Sequence, residues 1–219
     1  MCGIVGYVGV KQAAPILLAG LSKLEYRGYD SAGIAVRDEN NDHVEVVKAK
    51  GRLKNLMEMT DSGNAVRGLC GVGHTRWATH GEPSTVNAHP QYTREKRVVL
   101  VHNGIIENYQ EIKEALARKG YTFSSQTDTE VAAALLDSYY VEAGKKGLSP
   151  CERALDAIRN MMIRVRGSYA LGILFGDQPG VIYAARKDSP LIIGRCDGEY
   201  EGHMIASDVP AVLNYTRNV

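Results

Sequence analysis

The second residue of the chain is a cysteine, and it directly precedes a short apolar run that is typical of a β-strand. Once Met1 is removed, Cys2 carries both a thiol and a free α-amine. A thiol attacks as the thiolate, and a free cysteine with a pKa near ~8.5 is mostly protonated at neutral pH, so it needs a base. An α-amine titrates near pKa ~7.7–8.0 and is able to accept that proton. The pattern predicts a nucleophile that carries its own base, on condition that Met1 is removed.

Five further segments place small and polar residues near the predicted ends of strands. They are YRGYDSAG at 26–33, GHTRWATHGEP at 73–83, NAHP at 87–90, VHNGIIEN at 101–108 and TDTE at 127–130. Loops held by a rigid scaffold are where binding and catalytic residues gather. Glycine and asparagine also favour ordinary turns, so a turn without a functional role is the alternative interpretation of each segment alone.

Composition limits the class of protein. The chain has 219 residues, of which 44% are hydrophobic and 23% charged, and this predicts one globular domain with a sizeable core. The 26 basic residues nearly balance the 25 acidic ones, so charge gives no reason to expect nucleic acid or an anionic membrane as a partner. No apolar run approaches the ~20 residues that span a bilayer. The opening also lacks the basic start and cleavage site of a signal peptide, so we expect a cytoplasmic protein.

Known motifs for metal and phosphate chemistry are missing from the sequence. The four cysteines are Cys2, Cys70, Cys151 and Cys196. They form no CxxC pair, which argues against a disulfide framework or a zinc site, and we expect the last three to be buried, inert thiols. His74 and His80 have no acidic partner at a ligand-like spacing. We therefore predict neither a metal nor a cofactor.

Apolar residues at helical spacing predict four helices. The first follows the opening strand and ends near Arg27–Gly28, and the second covers 106–120 and stops at Gly120. The third begins at a Thr-x-x-Glu capping box, 127–130, and the fourth begins with Pro150 at its first helical position. The predicted buried residues are Ile16, Leu17, Leu21 and Leu24, then Ile105, Tyr109, Ile112 and Leu116, then Val131, Leu135 and Tyr139, then Leu155, Ile158, Met162 and Val165.

Alternating or continuous apolar runs predict strands on both sides of these helices. The runs 31–36 and 43–51 are joined by the polar residues DENND, which is typical of a hairpin. After Tyr169 the predicted strands are 169–176, 180–187, 191–196 and 204–209. Strands, then helices, then strands favour a layered α+β sandwich over a regular βαβ sheet.

The opening CGIVGY and the five polar segments together resemble the glutaminase domain of the class II glutamine amidotransferases, which are N-terminal nucleophile hydrolases. The resemblance runs from 2–7 to 206–208 and so covers nearly the whole chain. It implies a four-layer αββα sandwich, with two antiparallel sheets between helical layers. We therefore expect residues 1–219 to form one glutaminase domain.

Within that family the segments are most similar to members that pass ammonia to fructose 6-phosphate. Those members continue with C-terminal sugar-isomerase domains and are commonly homodimers. The chain ends at Val219, so the resemblance implies that these domains are absent from it. We expect a monomer without synthase activity of its own.

The resemblance also implies roles for individual residues. Cys2 attacks the carboxamide carbon of L-glutamine, and Asn103 with the backbone N–H of Gly104 forms the oxyanion hole. Arg76 holds the α-carboxylate with its planar fork, and Asp128 holds the α-ammonium. For Asp128 there is an equal alternative, because an acid in the first turn also complements the helix dipole.

Six further residues match segments that line the same pocket in the family. They are Arg27, Gly28, Trp77, Thr79, His80 and His89. Trp77 resembles the residue that controls ammonia passage, although a tryptophan more often serves packing. We expect no metal among these residues.

Three functional hypotheses remain open from the sequence. The first is glutamine hydrolysis, in this subgroup or in another class II amidotransferase. The second is an N-terminal cysteine amidohydrolase for a different amide, such as a bile-salt-like substrate, and the pairing of Arg76 with Asp128 argues against it. The third is a binding module that keeps Met1 and uses Cys2 only structurally.

Overall fold

The molecule consists of two antiparallel β-sheets stacked face to face, with helices against both outer faces. A computed structural model describes residues 2–38, 43–78 and 81–219. The ten strands in these ranges are β1 (Gly3–Gly9), β2 (Ser31–Asp38), β3 (His43–Lys50), β4 (Cys70–Arg76), β5 (Gln91–Tyr92), β6 (Val98–Ile106), β7 (Gly167–Phe175), β8 (Tyr183–Lys187), β9 (Ile192–Cys196) and β10 (Gly202–Ala206). The five α-helices are α1 (Ala13–Ser22), α2 (Leu53–Met59), α3 (Tyr109–Ala117), α4 (Asp128–Lys145) and α5 (Pro150–Arg164). The predicted αββα sandwich is confirmed.

The larger sheet has the strand order β3-β2-β4-β1-β10-β9, and the smaller one has the order β5-β6-β7-β8. Successive residues of a strand point to opposite faces, and β1 shows the result. Ile4 packs between the two sheets with Val72 and Val101, whereas Val5 packs outward against α1 beside Leu17. A single strand therefore contributes side chains both to the core between the two sheets and to the core between the larger sheet and α1.

Glycines allow α1 to lie close to the larger sheet. A Cβ atom added to Gly73 would stand 2.9 Å from Leu21 Cδ1, and one added to Gly71 would stand 3.0 Å from Leu17 Cδ1. Both distances are shorter than ordinary contacts, so a larger residue at either position would require these leucine side chains to move. The small residues thus allow α1 to pack closely on β4, whose last residue is Arg76.

The four C-terminal strands and the β2–β3 hairpin are confirmed. The hairpin register ends with Asp38 opposite His43, and the connecting residues 39–42 lie outside the described ranges. Helix α2 has no counterpart among the predicted helices, because it has only seven residues, with two buried leucines. The first predicted helix ends earlier than expected, at Ser22, and a short 3₁₀ turn at Glu25–Arg27 follows it.

The predicted second helix is wrong at its start. Ile105 and Ile106 belong to β6, which pairs with β7 as far as Ile106 opposite Gly167. Helix α3 begins only at Tyr109, and the side chain of Ile105 is 46% exposed. Strand pairing of the backbone outweighs the local apolar spacing here.

The predicted buried face of α5 is also wrong in part. Leu155 and Met162 are exposed, and the buried residues of this helix are Ala154, Ala157, Ile158 and Met161. Helix α5 packs against α4, which contributes several alanines to the same core. Small side chains on both helices permit close contact between them, whereas apolar spacing alone favours the larger residues.

The predicted capping box at 127–130 is half formed. The Thr127 side chain accepts a hydrogen bond from the Glu130 backbone N–H. The Glu130 carboxylate instead accepts from the backbone N–H groups of Ser124 and Ser125, at 2.9 and 2.6 Å. The Ser125 N–H is buried and needs an acceptor, which Glu130 supplies. A complete capping box is found at the start of α5, where Ser149 and Glu152 exchange both bonds.

Two of the three cysteines that we expected to be buried are so. Cys70 and Cys196 are buried, whereas Cys151 is exposed near the start of α5, which corrects the prediction. All four cysteines are free.

Across the described ranges, no helix combines the length and the apolar character that a membrane crossing requires. In the same ranges, no three His, Cys, Asp or Glu side chains are grouped so that they could hold a metal ion.

Candidate active site

The ends of β4 and β6, the start of β1 and the start of α4 enclose one narrow pocket. It is lined by Cys2, Arg76, Trp77, His89, His102, Gly104, Ile105, Thr127 and Asp128. Four of the five polar segments contribute to it, although they are far apart in the chain. The structure therefore brings the N-terminal cysteine together with most of the predicted site residues.

Cys2 lies directly before β1, and its sulfur faces the backbone of Trp77. The Trp77 N–H donates to Sγ at 3.2 Å, and the thiol donates to the Trp77 carbonyl at 3.5 Å. Burial raises the pKa of the Cys2 thiol, and the Trp77 N–H and the charge of Arg76 oppose this rise only in part. The thiol is thus held in place but protonated at neutral pH, and attack by its sulfur requires a base.

Asn103 and Gly104 lie in β6 beside Cys2. The Asn103 amide nitrogen donates to the Cys2 carbonyl at 3.1 Å. Gly104 has a φ of 124°, and a Cβ atom there would stand 2.1 Å from the Ser168 carbonyl oxygen. Only glycine fits this backbone conformation and this close approach. The two residues predicted for the oxyanion hole therefore adjoin the sulfur-bearing residue.

Arg76 and Asp128 place opposite charges on the pocket wall. The Arg76 guanidinium donates to the carbonyl oxygens of Gly81 and Glu82, at 3.2 and 3.4 Å. Asp128 is the first residue of α4, and its carboxylate accepts from the Ile106 N–H at 2.9 Å. Its place in the first turn also suits the helix dipole, so the dipole role does not exclude a ligand role. The pair could bind a molecule that carries both charges.

The other predicted residues within the described ranges differ in their positions relative to the pocket. His89 and Trp77 line the pocket, and the Trp77 ring is 44% exposed and packs edge-on against Tyr29 at 5.3 Å. Gly28 packs directly against the backbone of Arg76, since a Cβ atom on Gly28 would stand 2.8 Å from the carbonyl carbon of Arg76. Arg27 points away, and its side chain pairs with Asp208 at 2.9 Å in a neighbouring pocket.

Predicted residues Thr79 and His80 lie outside the described residues. Asp30 and His102 also lie at the site, and neither was among the predicted site residues. The Asp30 carboxylate accepts from the Ala78 N–H at 2.8 Å and so fixes the chain just after Trp77. His102 lines the pocket and lies 3.0 Å from the Thr129 hydroxyl. Both occur inside the polar segments, 26–33 and 101–108, which are the signal that could have identified them.

Three buried histidines cluster at the pocket, where His89 and His102 line it and His74 lies behind them. The rings of His74 and His89 lie 4.3 Å apart, and His102 supplies the carbonyl that His74 contacts at 3.0 Å. Burial lowers the pKa of His74 to about 3, and it lowers the pKa values of His89 and His102 as well. All three are therefore neutral in the folded protein at neutral pH.

These lowered pKa values predict that the protein loses stability in mild acid. Below the unfolded pKa of ~6.5 the unfolded chain binds protons that the folded chain does not bind, so the free energy of unfolding falls as the pH decreases. Each histidine contributes a slope of up to about 1.4 kcal/mol per pH unit. Urea unfolding between pH 7 and pH 5 measures this slope. His89→Gln should reduce the slope relative to the wild-type protein. An unchanged slope in His89→Gln would show that the folded and the unfolded chain bind this proton equally.

A protein-family model described as "Glutamine amidotransferase domain" matches residues 58–154. A relative from Caldanaerobacter subterraneus subsp. tengcongensis, named glutamine–fructose-6-phosphate aminotransferase [isomerizing], is 52% identical over 219 residues. Relatives of the same name from Clostridium perfringens and Thermus thermophilus are 53% and 49% identical. The alignments cover 100% of this chain and 33% of each relative, so the chain spans about a third of their length.

Two solved structures are also similar to this chain. The glutamine phosphoribosylpyrophosphate amidotransferase of B. subtilis superposes with a TM-score of 0.78 at 25% identity, over 98% of this chain and 44% of that chain. A glutamine aminotransferase class-II domain protein of Silicibacter pomeroyi gives 0.60 at 18% identity, over 94% and 88%, and so shares the fold. The chain belongs to the class II glutamine amidotransferases, and it is homologous over its whole length to the glutaminase portion of glutamine–fructose-6-phosphate aminotransferase.

Proposed function

We propose that this chain hydrolyses L-glutamine to L-glutamate and ammonia through a thioester on Cys2. The observation that supports this most directly is that Cys2, Gly104, Arg76 and Asp128 line one pocket. The Asn103 side chain lies beside them and donates a hydrogen bond to the Cys2 carbonyl. A nucleophile, donors for an oxyanion and a pair of opposite charges are the groups that this reaction needs.

The reaction proceeds in two steps. After Met1 is removed, the Cys2 α-amine takes the thiol proton, and the sulfur attacks the carboxamide carbon to form a tetrahedral oxyanion. The oxyanion collapses and expels the carboxamide nitrogen, which leaves as ammonia after it receives a proton from the α-ammonium of Cys2. Water then attacks the γ-glutamyl thioester, which releases glutamate and restores the thiol. The raised pKa of Cys2 makes the amine necessary as a base.

Asn103 and Gly104 stabilise the oxyanion in this scheme. The amide nitrogen of Asn103 donates one hydrogen to the Cys2 carbonyl at 3.1 Å, and its second N–H can donate to an oxyanion formed beside Cys2. Donors that are fixed before the reaction stabilise charge without reorganisation.

Arg76 and Asp128 select the amino acid. A carboxylate is a stronger acceptor than the Gly81 and Glu82 carbonyls that Arg76 now contacts, and it can take both arms of the fork. Asp128 faces the α-ammonium from the start of α4. A substrate amide without these two charges would leave both groups unpaired, which disfavours the amidohydrolase alternative.

Replacement of Arg76 by lysine should raise the KM for glutamine by about 10- to 100-fold, with a smaller change in kcat, because lysine keeps the charge but loses the bidentate geometry. Steady-state kinetics of ammonia release measure this effect. The matched control is Arg67→Lys, which alters an exposed arginine far from the pocket. An unchanged KM in Arg76→Lys would remove Arg76 from substrate binding.

The deciding experiment is ammonia release from L-glutamine, with L-asparagine as the comparison substrate, by protein whose intact mass confirms the loss of Met1. Release from glutamine and not from asparagine supports the proposal. No release from processed, folded protein, or equal release from both amides, contradicts it. Full retention of Met1 in cells with normal processing would favour the binding-module alternative.

We further propose that the ammonia serves the synthesis of glucosamine 6-phosphate from fructose 6-phosphate, in the cytoplasm. The relatives that are three times longer than this chain bear names that state this transfer, which supports further C-terminal domains, proposed to be sugar-isomerase domains, as partners. A homodimer is proposed for the full-length assembly from the family resemblance. The exposed Trp77 ring at the pocket mouth, and the adjacent pocket with Arg27, offer a surface for the acceptor domain. Thr79, His80, His89 and Gly28 remain proposed members of the glutamine pocket.

A further inference from the structure

The buried side chain of His74 contacts the Asn103 amide directly. His74 lies in β4 and points from the larger sheet toward β6 of the smaller one, as Val72 does two residues earlier. Its Nε2 atom is 2.9 Å from Asn103 Oδ1 and 3.0 Å from the His102 carbonyl oxygen. The Nδ1 atom of His74 has no hydrogen-bond partner among the described residues. The contact with Asn103 thus connects the two sheets directly behind Cys2.

The surroundings determine which nitrogen of His74 carries the proton. A peptide carbonyl accepts and never donates, so the His102 carbonyl requires a hydrogen on Nε2. In the neutral ring, Nδ1 then has no hydrogen, which agrees with its lack of an acceptor. Burial lowers the pKa of His74 to about 3, so the ring is neutral at neutral pH and in mild acid.

The same proton determines the orientation of Asn103. Because Nε2–H is a donor, the amide atom that faces it must be the oxygen. The amide nitrogen then faces the Cys2 carbonyl, to which it donates at 3.1 Å. The reversed amide would set two donors against each other at His74 and two acceptors against each other at Cys2, and both contacts would be repulsive.

We infer that His74 is a positioning residue, which holds the Asn103 amide with its nitrogen toward Cys2 and its second N–H free for an oxyanion. The inference rests on the proposed glutaminase function and assigns to it a residue that touches neither substrate nor sulfur. The His102 carbonyl alone would satisfy the Nε2–H of a buried histidine, so the additional contact with Asn103 is not required for burial. The pocket-lining residues do not include His74, so its effect on the reaction passes through Asn103.

Kinetics of His74→Leu and His74→Gln test this role. Leucine fills the space but donates nothing, so kcat should fall by about 10- to 100-fold, because the oxyanion donor is no longer fixed. The KM for glutamine should stay within about twofold, since Arg76 and Asp128 are untouched. Glutamine carries a side-chain N–H near the place of Nε2, and His74→Gln should recover most of kcat. Thermal unfolding shows that each variant is folded.

A double variant separates positioning from a general structural role. If His74 acts through Asn103, then His74→Leu should lower kcat little further in protein that already carries Asn103→Ala. An equal additional loss in that background would overturn the inference. So would a rise in KM at constant kcat, or failure of folded His74→Gln to recover activity.

A measurement without turnover keeps the inference separate from the proposed function. Nitrogen-15 NMR of the folded wild-type protein should show His74 protonated at Nε2 and unprotonated at Nδ1, unchanged between pH 6 and pH 9. Protonation at Nδ1 would overturn the inference whatever the catalytic result. If wild-type protein released no ammonia but had this tautomer, the proposed glutaminase would fail and the orientation of Asn103 by His74 would stand.

Discussion

Cys2→Ala is expected to lower glutamine hydrolysis by about 10⁴-fold or more, to the background of the assay, because removal of a nucleophile abolishes the covalent pathway. The fold should persist, since within the described ranges the Cys2 thiol forms hydrogen bonds with the backbone of Trp77 alone, and the variant keeps a small residue that permits removal of Met1. Ammonia release and thermal unfolding of the same sample measure both quantities.

The matched control for this variant is Cys151→Ala. Cys151 is also a free cysteine, but it is exposed at the start of α5, away from the pocket. It should retain full activity. Substantial activity in Cys2→Ala would contradict the thioester mechanism, whereas equal losses in the two variants would point to a general effect of cysteine removal.

An N-terminal extension that is not removed by processing tests whether the Cys2 α-amine acts as the base. It leaves the Cys2 thiol in place but converts its α-amine into an amide, which cannot take a proton. Because burial raises the pKa of this thiol, we expect activity to fall nearly as far as in Cys2→Ala. Normal activity of the extended protein would show that another group is the base.

Asn103→Ala has the second largest expected effect, a fall in kcat of about 10²- to 10³-fold, which is typical of the loss of one oxyanion donor. The KM for glutamine should change little, because the donor acts on charge that develops only in the transition state. Steady-state ammonia release at saturating and limiting glutamine separates the two constants.

Asn160→Ala is the control for removal of an asparagine amide. Asn160 bonds to the Asp156 carbonyl within α5 and lies far from the pocket, so its loss should leave both constants unchanged. A rise in KM with constant kcat in Asn103→Ala would instead place Asn103 among the groups that bind ground-state glutamine.

Much of the architecture was determined by local patterns in the sequence. The β2–β3 hairpin and the strands after Tyr169 lie where alternating or continuous apolar runs predict them. Helix α5 begins at Pro150, as its sequence predicts. These features depend on neighbours within a few residues, and local periodicity and turn chemistry are sufficient to predict them.

The candidate nucleophile and the polar segments were also evident from the sequence. Cys2, Arg76 and Asp128 were identified by residue type and by family resemblance, and the structure places all three around one pocket. Their catalytic and binding roles remain predictions until the kinetic experiments are performed.

Only the tertiary structure decided which side chains meet. Arg27 was expected in the pocket, yet it pairs with Asp208, which is 181 residues away in the chain. The buried face of α5 depends on the alanines that α4 presents to it, and the Glu130 carboxylate serves the loop at 124–125 rather than its own helix start. The contact of His74 with Asn103 exists because β4 and β6 belong to different sheets that are stacked at this point. Such contacts depend on the packing of distant segments, and no spacing within a single segment encodes them.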